Sequence, residues 1–303
     1  MRVLVTGASG WIGSAVVPVL IGAGHQVVGL ARSDASAAAL ASAGAEAVRG
    51  TLDDLDVLHG AAAESDGVIH LAFKHDIAFS GDFRGAAEAD RLAVQSIGEA
   101  LTGSGRPFAI ASGTPAEPGC TASEDDGHIL DPAQVRGPQA RAATSEWVLS
   151  LASRGVRSSV VRLPRTVHGD GDGGFIATLV RIARDKGVSG YLGDGTNRWP
   201  AVHRLDCADL FHLALEKAPA GSTLHAVADE GVPLRDIAEV IGRHLNLPVA
   251  PVPAADAAEH FTWLAPVLAV DQPSSSTLTR ELMGWQPTRP GLVEDLDKGH
   301  YFG

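Results

Sequence analysis

The sequence predicts an α/β protein, a doubly wound parallel sheet with a smaller, interleaved C-terminal region. Three observations lead there. Short apolar runs such as Val3-Leu4-Val5, Val27-Val28-Gly29-Leu30 and Val68-Ile69-His70-Leu71-Ala72 recur through the first half, as in strands covered on both faces. Longer alanine-rich segments of crossover-helix length separate them. Glycines at 7, 10 and 13 lie between the first run and the first helical segment.

Taken in order, a strand at Val3–Val5 leads to a helix over Trp11–Ile21. A second strand at Val27–Leu30 precedes a helix over Ala35–Ala43. A strand at Val68–Ala72 leads to a long helix over Ala86–Leu101. Phe108–Ala111 and Arg157–Leu163 are further strands, with a helix over Arg141–Ala152 between them. After Leu163 glycine-dense loops appear at 169–174 and 187–195, flanking a helix over Ile176–Arg184. Helices over Asp206–Glu216 and Leu234–His244, a strand at Thr223–Ala228 and a proline-studded Pro248–Pro253 follow.

The chain has 303 residues, 45% apolar and 20% charged, with a net charge of −12. Such acidity disfavours a nucleic-acid or anionic-membrane partner, since phosphates would be repelled. Cys120 and Cys207 are the only cysteines, too few for a disulfide framework. No export signal is read at the N-terminus, and the apolar stretch at Ala15–Ala23 is too short to span a bilayer. A cytoplasmic location is expected.

Thr6-Gly7-Ala8-Ser9-Gly10-Trp11-Ile12-Gly13 carries the first chemistry. Gly7 permits a tight turn, Gly10 lets backbone approach a pyrophosphate, and Gly13 lets the helix close on the strand. The helix N-terminus then points its N–H groups at the phosphates. This predicts a Rossmann-type dinucleotide site over residues 1–165, with a returning segment at about 201–228. Substrate would meet residues 166–200 and 229–303.

An NAD-specific site places a carboxylate at the end of the second strand, against the ribose 2′-OH. Here Leu30-Ala31-Arg32-Ser33 stands there, with no acid before Asp34. Arg32 suits a 2′-phosphate and Ser33 a supporting hydrogen bond, which predicts NADP(H). Arg32 as an ordinary solvated residue is the alternative, and Asp34 is expected to cap the next helix.

The glycine loop, Val68–Ala72, Ser159-Val-Val-Arg-Leu-Pro164 with Val167-His-Gly169, and Ala201-Val-His-Arg-Leu-Asp206 together resemble the extended short-chain dehydrogenase/reductase superfamily. The resemblance implies a Rossmann domain with an interleaved substrate domain. It also implies main-chain contacts to cofactor near Leu52 and Leu71-Ala72, with Leu163 and Arg165 further along, and pairing into a homodimer through helices 86–101 and 141–152. The family's usual proton donor is a tyrosine with a lysine four residues on. Tyr191 and Tyr301 are the only tyrosines; Gly195 follows the first by four, and the second stands near the end. In Arg136–Glu146, Pro138 or Gln139 takes the tyrosine place and Ala142 or Ala143 the lysine place.

Other residues must therefore be weighed as donor. Lys74 and His75 follow the Leu71-Ala72 strand end, as cofactor or substrate contacts or as a solvated loop. Ser112 or Thr114 could orient a carbonyl or simply form a turn. His168 is either an acid beside the nicotinamide, near Arg165 and Thr166, or a satisfied structural histidine. Trp199 and His203 form either a cleft wall and its polar anchor or core and a backbone bond. The Gly169–Gly174 loop lacks the ligand periodicity of a calcium site, and no metal is expected. The leading expectation is an NADPH-dependent reductase of a small, largely apolar carbonyl or imine. Its alternatives are a redox-silent NADP(H) sensor and a nicotinamide-dependent epimerase or lyase.

Overall fold

A computed structural model describes residues 1–116, 119–127 and 138–303. Its strands are β1 (Arg2–Thr6), β2 (Gln26–Ala31), β3 (Glu46–Arg49), β4 (Gly67–His70), β5 (Pro107–Gly113), β6 (Arg157–Leu163), β7 (Thr166–His168), β8 (Ser189–Leu192), β9 (Arg198–His203), β10 (Ser222–His225), β11 (Asp229–Pro233) and β12 (Val249–Val252). Seven of them form one sheet in the order β3-β2-β1-β4-β5-β6-β10, parallel throughout. The chain runs outward from β1 through β2 to β3, then returns to β4 on the other side of β1. That reversal opens a crevice at the carboxyl ends of β1 and β4, where ligands bind in this class of sheet.

Side-chain alternation along the strands divides the core. Val3, Val5, Ile69 and Val161 face the helices Gly13–Gly22 and Arg204–Lys217. Leu4, Val68, Phe108, Ile110 and Val160 face the opposite side, against Leu55–Ala63, Phe83–Leu101 and Pro138–Ser150. Phe108 is fully buried, so Phe108→Ala would cost ~3–5 kcal/mol. A third core joins Trp199, Ile237, Phe261 and the helices Phe175–Lys186 and Leu234–Leu245 beneath two small sheets, β11-β9-β7 and β12-β8. The helix Arg204–Lys217 and β10 return to the main sheet.

Several expectations need correction. The sequence gives no signal for β3, an edge strand with exposed charged ends, Glu46 and Arg49, and a half-buried middle. The first helix begins at Gly13 rather than Trp11, because the Trp11 indole turns away to donate to the Val167 carbonyl at 2.7 Å. Pro248–Pro253 contains β12, whose Pro251 is tolerated because the strand pairs with β8 alone. Ser33, not Asp34, caps the second helix, its hydroxyl accepting from Ser36 N–H at 3.1 Å; Asp34 pairs instead with Arg49. Among the described residues no helix is long and apolar enough to cross a membrane.

Candidate active site

The crevice is a cleft of about 1060 Å³, and the glycine loop forms its floor. Gly7 has φ +67°, and a side chain there would meet Ala72 N at 2.8 Å. Gly10 N–H closes the turn onto Gly7 O at 2.9 Å. A Cβ at Gly13 would lie 2.1 Å from Gly7 O, so only glycine lets the helix start this close to the strand. The loop is thus a cradle that side chains would fill, as a dinucleotide pyrophosphate requires.

Every predicted cofactor residue except Ser33 lines this cleft: Gly7, Ser9, Gly10, Trp11, Ile12, Gly13, Arg32, Leu52, Leu71, Ala72, Lys74, Leu163 and Arg165. Ser33 is turned to its capping role, and Ser36 stands on the wall in its place. Arg32 keeps its side chain 73% exposed, 3.5 Å from Asp76. Lys74 lies across the cleft mouth, with its ammonium 2.6 Å from Asp53.

The predicted donors divide. Lys74 and His75 line the cleft; Ser112, Thr114, His168 and His203 do not. The Ser112 hydroxyl accepts from Ser145 at 2.8 Å in a buried pocket, and Thr114 is buried against the Gln272 amide. His168 is fully buried with Nδ1 2.9 Å from the Asp295 carboxylate, while its Nε2 is buried without a hydrogen-bond partner. His203 accepts from Leu205 N–H at 3.2 Å through Nδ1, capping the helix Arg204–Lys217. Trp199 belongs to the core. At the cleft itself, desolvation of the His75 ring by the surrounding walls, aided by the Arg141 charge, lowers its pKa. A lowered pKa leaves the imidazole, which remains exposed, neutral near pH 7.

Arg141 and Asp172 are the wall residues that sequence reasoning missed. Arg141 lies over the Phe73 ring at 4.2 Å and donates to the Ala111 carbonyl at 3.0 Å. Its Nε is buried without a hydrogen-bond partner, although Asp90 lies 3.6 Å away. Asp90 in turn meets His70 Nε2 at 3.2 Å, and His70 Nδ1 meets the Thr6 hydroxyl at 2.9 Å. A buried polar chain thus runs from the base of the glycine loop to a cation on the cleft wall. Arg141 stands one residue before the expected lysine place, which was the only hint available. The side chains of Pro138 and Gln139, like residues 128–137, lie outside the described residues.

Asp172 comes from the loop set aside as a calcium site. Burial raises its pKa, although Gly174 N–H and the Tyr301 hydroxyl both donate to it, at 2.7 and 2.9 Å. Burial likewise pushes the Tyr301 phenol up, and the Asp172 charge adds to the effect, so the phenol stays protonated. Thr166 and Arg165 complete the inner wall; Thr166 Oγ1 and Arg165 Nε are buried without hydrogen-bond partners. Phe73, Ala111, Phe175 and Trp263 make the rest of this end apolar.

This glycine cradle on a switch-point crevice defines a nicotinamide-dinucleotide enzyme of the short-chain dehydrogenase/reductase type. The chain belongs to the NAD-dependent epimerase/dehydratase family, whose sequence profile matches residues 3–227. It is 46% identical to an uncharacterized protein of Schizosaccharomyces pombe over 303 residues, the whole of both chains. It is also 26% identical to the 2-alkyl-3-oxoalkanoate reductase of Stenotrophomonas maltophilia over 313 aligned positions, covering 100% of this chain and 91% of that one. The solved Thermus thermophilus UDP-glucose 4-epimerase in complex with NAD superposes with a TM-score of 0.76 at 20% identity, covering 100% of this chain and 99% of the other.

Proposed function

We propose that the protein is an NADPH-dependent reductase of a small, largely apolar carbonyl or imine compound. The observation that carries this reading is the make-up of the cleft lining. It has Arg32 and no carboxylate at the end of β2, and it sets the Arg141 guanidinium over Phe73 in a wall that also holds His75, Phe175 and Trp263. Similarity to a 2-alkyl-3-oxoalkanoate reductase supports reduction of a ketone carrying apolar chains.

When bound, the nicotinamide supplies the hydride. Gly7, Gly10 and Gly13 hold the pyrophosphate, Arg32 the 2′-phosphate, and Arg165 with Thr166 offers polar atoms that have no partner within the protein. The substrate carbon chain lies against the aromatic wall, which excludes water from it. The oxygen that gains negative charge faces the Arg141 guanidinium, held by Asp90 and the Ala111 carbonyl. A fixed cation in a partly dry site lowers the cost of that charge and so does part of the work of the absent tyrosine. The proton then comes from solvent or through His75. An iminium substrate already carries its proton, but its positive charge is disfavoured beside the Arg141 guanidinium, so the site suits a carbonyl better.

NADPH oxidation followed with a panel of alkyl ketones, β-keto acids, cyclic imines and enones tests the proposal. Turnover is expected with an apolar ketone or imine and is lost in Arg141→Met for the ketone. Tight NADPH binding with no turnover on any class would overturn it.

A further inference from the structure

At the amino ends of the strands, away from the cleft, three metal-ligating side chains converge that no part of the proposed reaction uses. His25 sits in the turn between the helix Gly13–Gly22 and β2. His212 and Glu216 stand one turn apart on the helix Arg204–Lys217. This (i, i+4) spacing puts both on one side of the helix. One nitrogen from each imidazole and one carboxylate oxygen lie within 4.8 Å of one another.

The distances within the cluster are informative. His25 Nε2 and His212 Nε2 each lie 3.2 Å from the same oxygen, Glu216 Oε1. A tetrahedral zinc ion with ligands at ~2.0–2.1 Å separates adjacent donor atoms by ~3.3 Å. The two measured edges therefore match those around one ion. Hydrogen bonding alone accounts for only half of the arrangement. His25 makes a hydrogen bond to Glu216 and its Nδ1 lies 3.4 Å from the N-terminal amine, whereas His212 Nε2, shielded from water, stands at the same 3.2 Å from Glu216 without the alignment of a full hydrogen bond. An orphaned ring nitrogen aimed at a carboxylate is a lone pair or N–H in need of a partner. Side-chain exposures of 8%, 21% and 33% for His25, His212 and Glu216 leave the carboxylate edge open, so a water can fill a fourth position.

We propose that His25, His212 and Glu216 bind a divalent transition metal of the zinc class. Imidazole nitrogens select zinc, nickel or copper over magnesium and calcium, and one carboxylate supplies too few oxygens for the latter pair. Bound there, the ion ties the turn leading into β2 to the helix Arg204–Lys217, two segments far apart in sequence. Metal affinity adds to folding stability because the unfolded chain does not preassemble the three ligands. The expectation of no metal came from the acidic glycine loop; these ligands form no local motif and are brought together only by the packing of two helices.

The test uses the full-length chain stripped with chelator and dialysed against Zn²⁺ near pH 7.5, with thermal melting measured alongside. One zinc ion per chain is expected, with a Tm that climbs with zinc concentration. His212→Ala and Glu216→Gln are each expected to weaken zinc binding at least about tenfold, with NADPH affinity unchanged. The Glu216→Gln change is nearly isosteric and half-exposed, so folding survives it. Absence of saturable binding below about 0.1 mM zinc, or undiminished binding in both variants, would overturn the proposal.

Discussion

Tyr301 donates its phenolic hydrogen to Asp172 at 2.9 Å, while its oxygen accepts from Gly169 N–H at 3.4 Å. One side chain from the end of the fold thus holds both ends of a glycine-rich loop that forms part of the cofactor cleft. Asp172 contributes to the wall, and a side chain at Gly171 would meet the Trp11 ring at 3.8 Å, next to the glycine cradle. Tyr301→Phe removes both hydrogen bonds and leaves the ring in place. NADPH affinity is expected to fall about fivefold, or ~1 kcal/mol, as measured by fluorescence titration. Unchanged affinity would show that the loop is held by other contacts.

Gly13→Ala tests the cradle. Its Cβ would sit 2.1 Å from Gly7 O, and the obstacle is backbone, which cannot swing aside. NADPH affinity is expected to fall at least about 100-fold with far-UV circular dichroism preserved, because the helix N-terminus must move off the phosphate position. An alanine variant that binds normally would remove the loop from the account.

Asp90 links the Arg141 cation to His70 and Thr6, and its charge state sets a pH dependence. Burial works against the Asp90 carboxylate, but the His70 hydrogen bond and the Arg141 charge outweigh it and hold its pKa below the ordinary range. A depressed folded pKa means that the stabilisation is complete above the unfolded value of about 3.9. It is then lost as pH falls through the lower folded value. Asp90→Asn is expected to cost ~2 kcal/mol at neutral pH, less than a fully buried pair because Arg141 is partly exposed. It should also flatten the fall in urea-unfolding midpoint below pH 4. A variant with wild-type steepness there would show that Asp90 does not carry the acid sensitivity.

Arg141→Met keeps an apolar side chain beside Phe73 and removes the guanidinium that lies over its ring at 4.2 Å. With a ketone substrate, kcat is expected to fall about 100-fold, while NADPH affinity moves less than about threefold. A loss confined to cofactor affinity would make Arg141 a cofactor ligand alone.

These residues show which parts of the molecule were legible in the sequence. Gly7, Gly10 and Gly13 were, because the demand on them is local: a turn, a close approach and a helix start within eight residues. Arg32 was placed on the wall as expected, since a strand end fixes its position. Arg141 was not recognised because its partners, Ala111, Asp90 and Phe73, come from other elements. His168 read somewhat more as a structural residue than as an acid; its Nδ1 partner, Asp295, stands 127 positions away, beyond the reach of any local pattern. Ser112 near the end of β5 and Thr114 just beyond it turn their hydroxyls inward to Ser145 and Gln272, a choice that depends on side-chain packing. Ser33 took the capping role expected of Asp34 because either can cap a helix; the pairing of Asp34 with Arg49 on β3 decides it, and β3 itself left no apolar pattern.

The central claim is that the glycine cradle and Arg32 together make an NADP(H) site. Calorimetric titration of the wild-type chain and Arg32→Ala with NADPH and NADH tests it most directly. The account predicts that wild-type protein binds NADPH at least about tenfold more tightly than NADH, and that Arg32→Ala abolishes this difference by weakening NADPH alone. Equal affinity for both in the wild type, or a preference that survives Arg32→Ala, would contradict it.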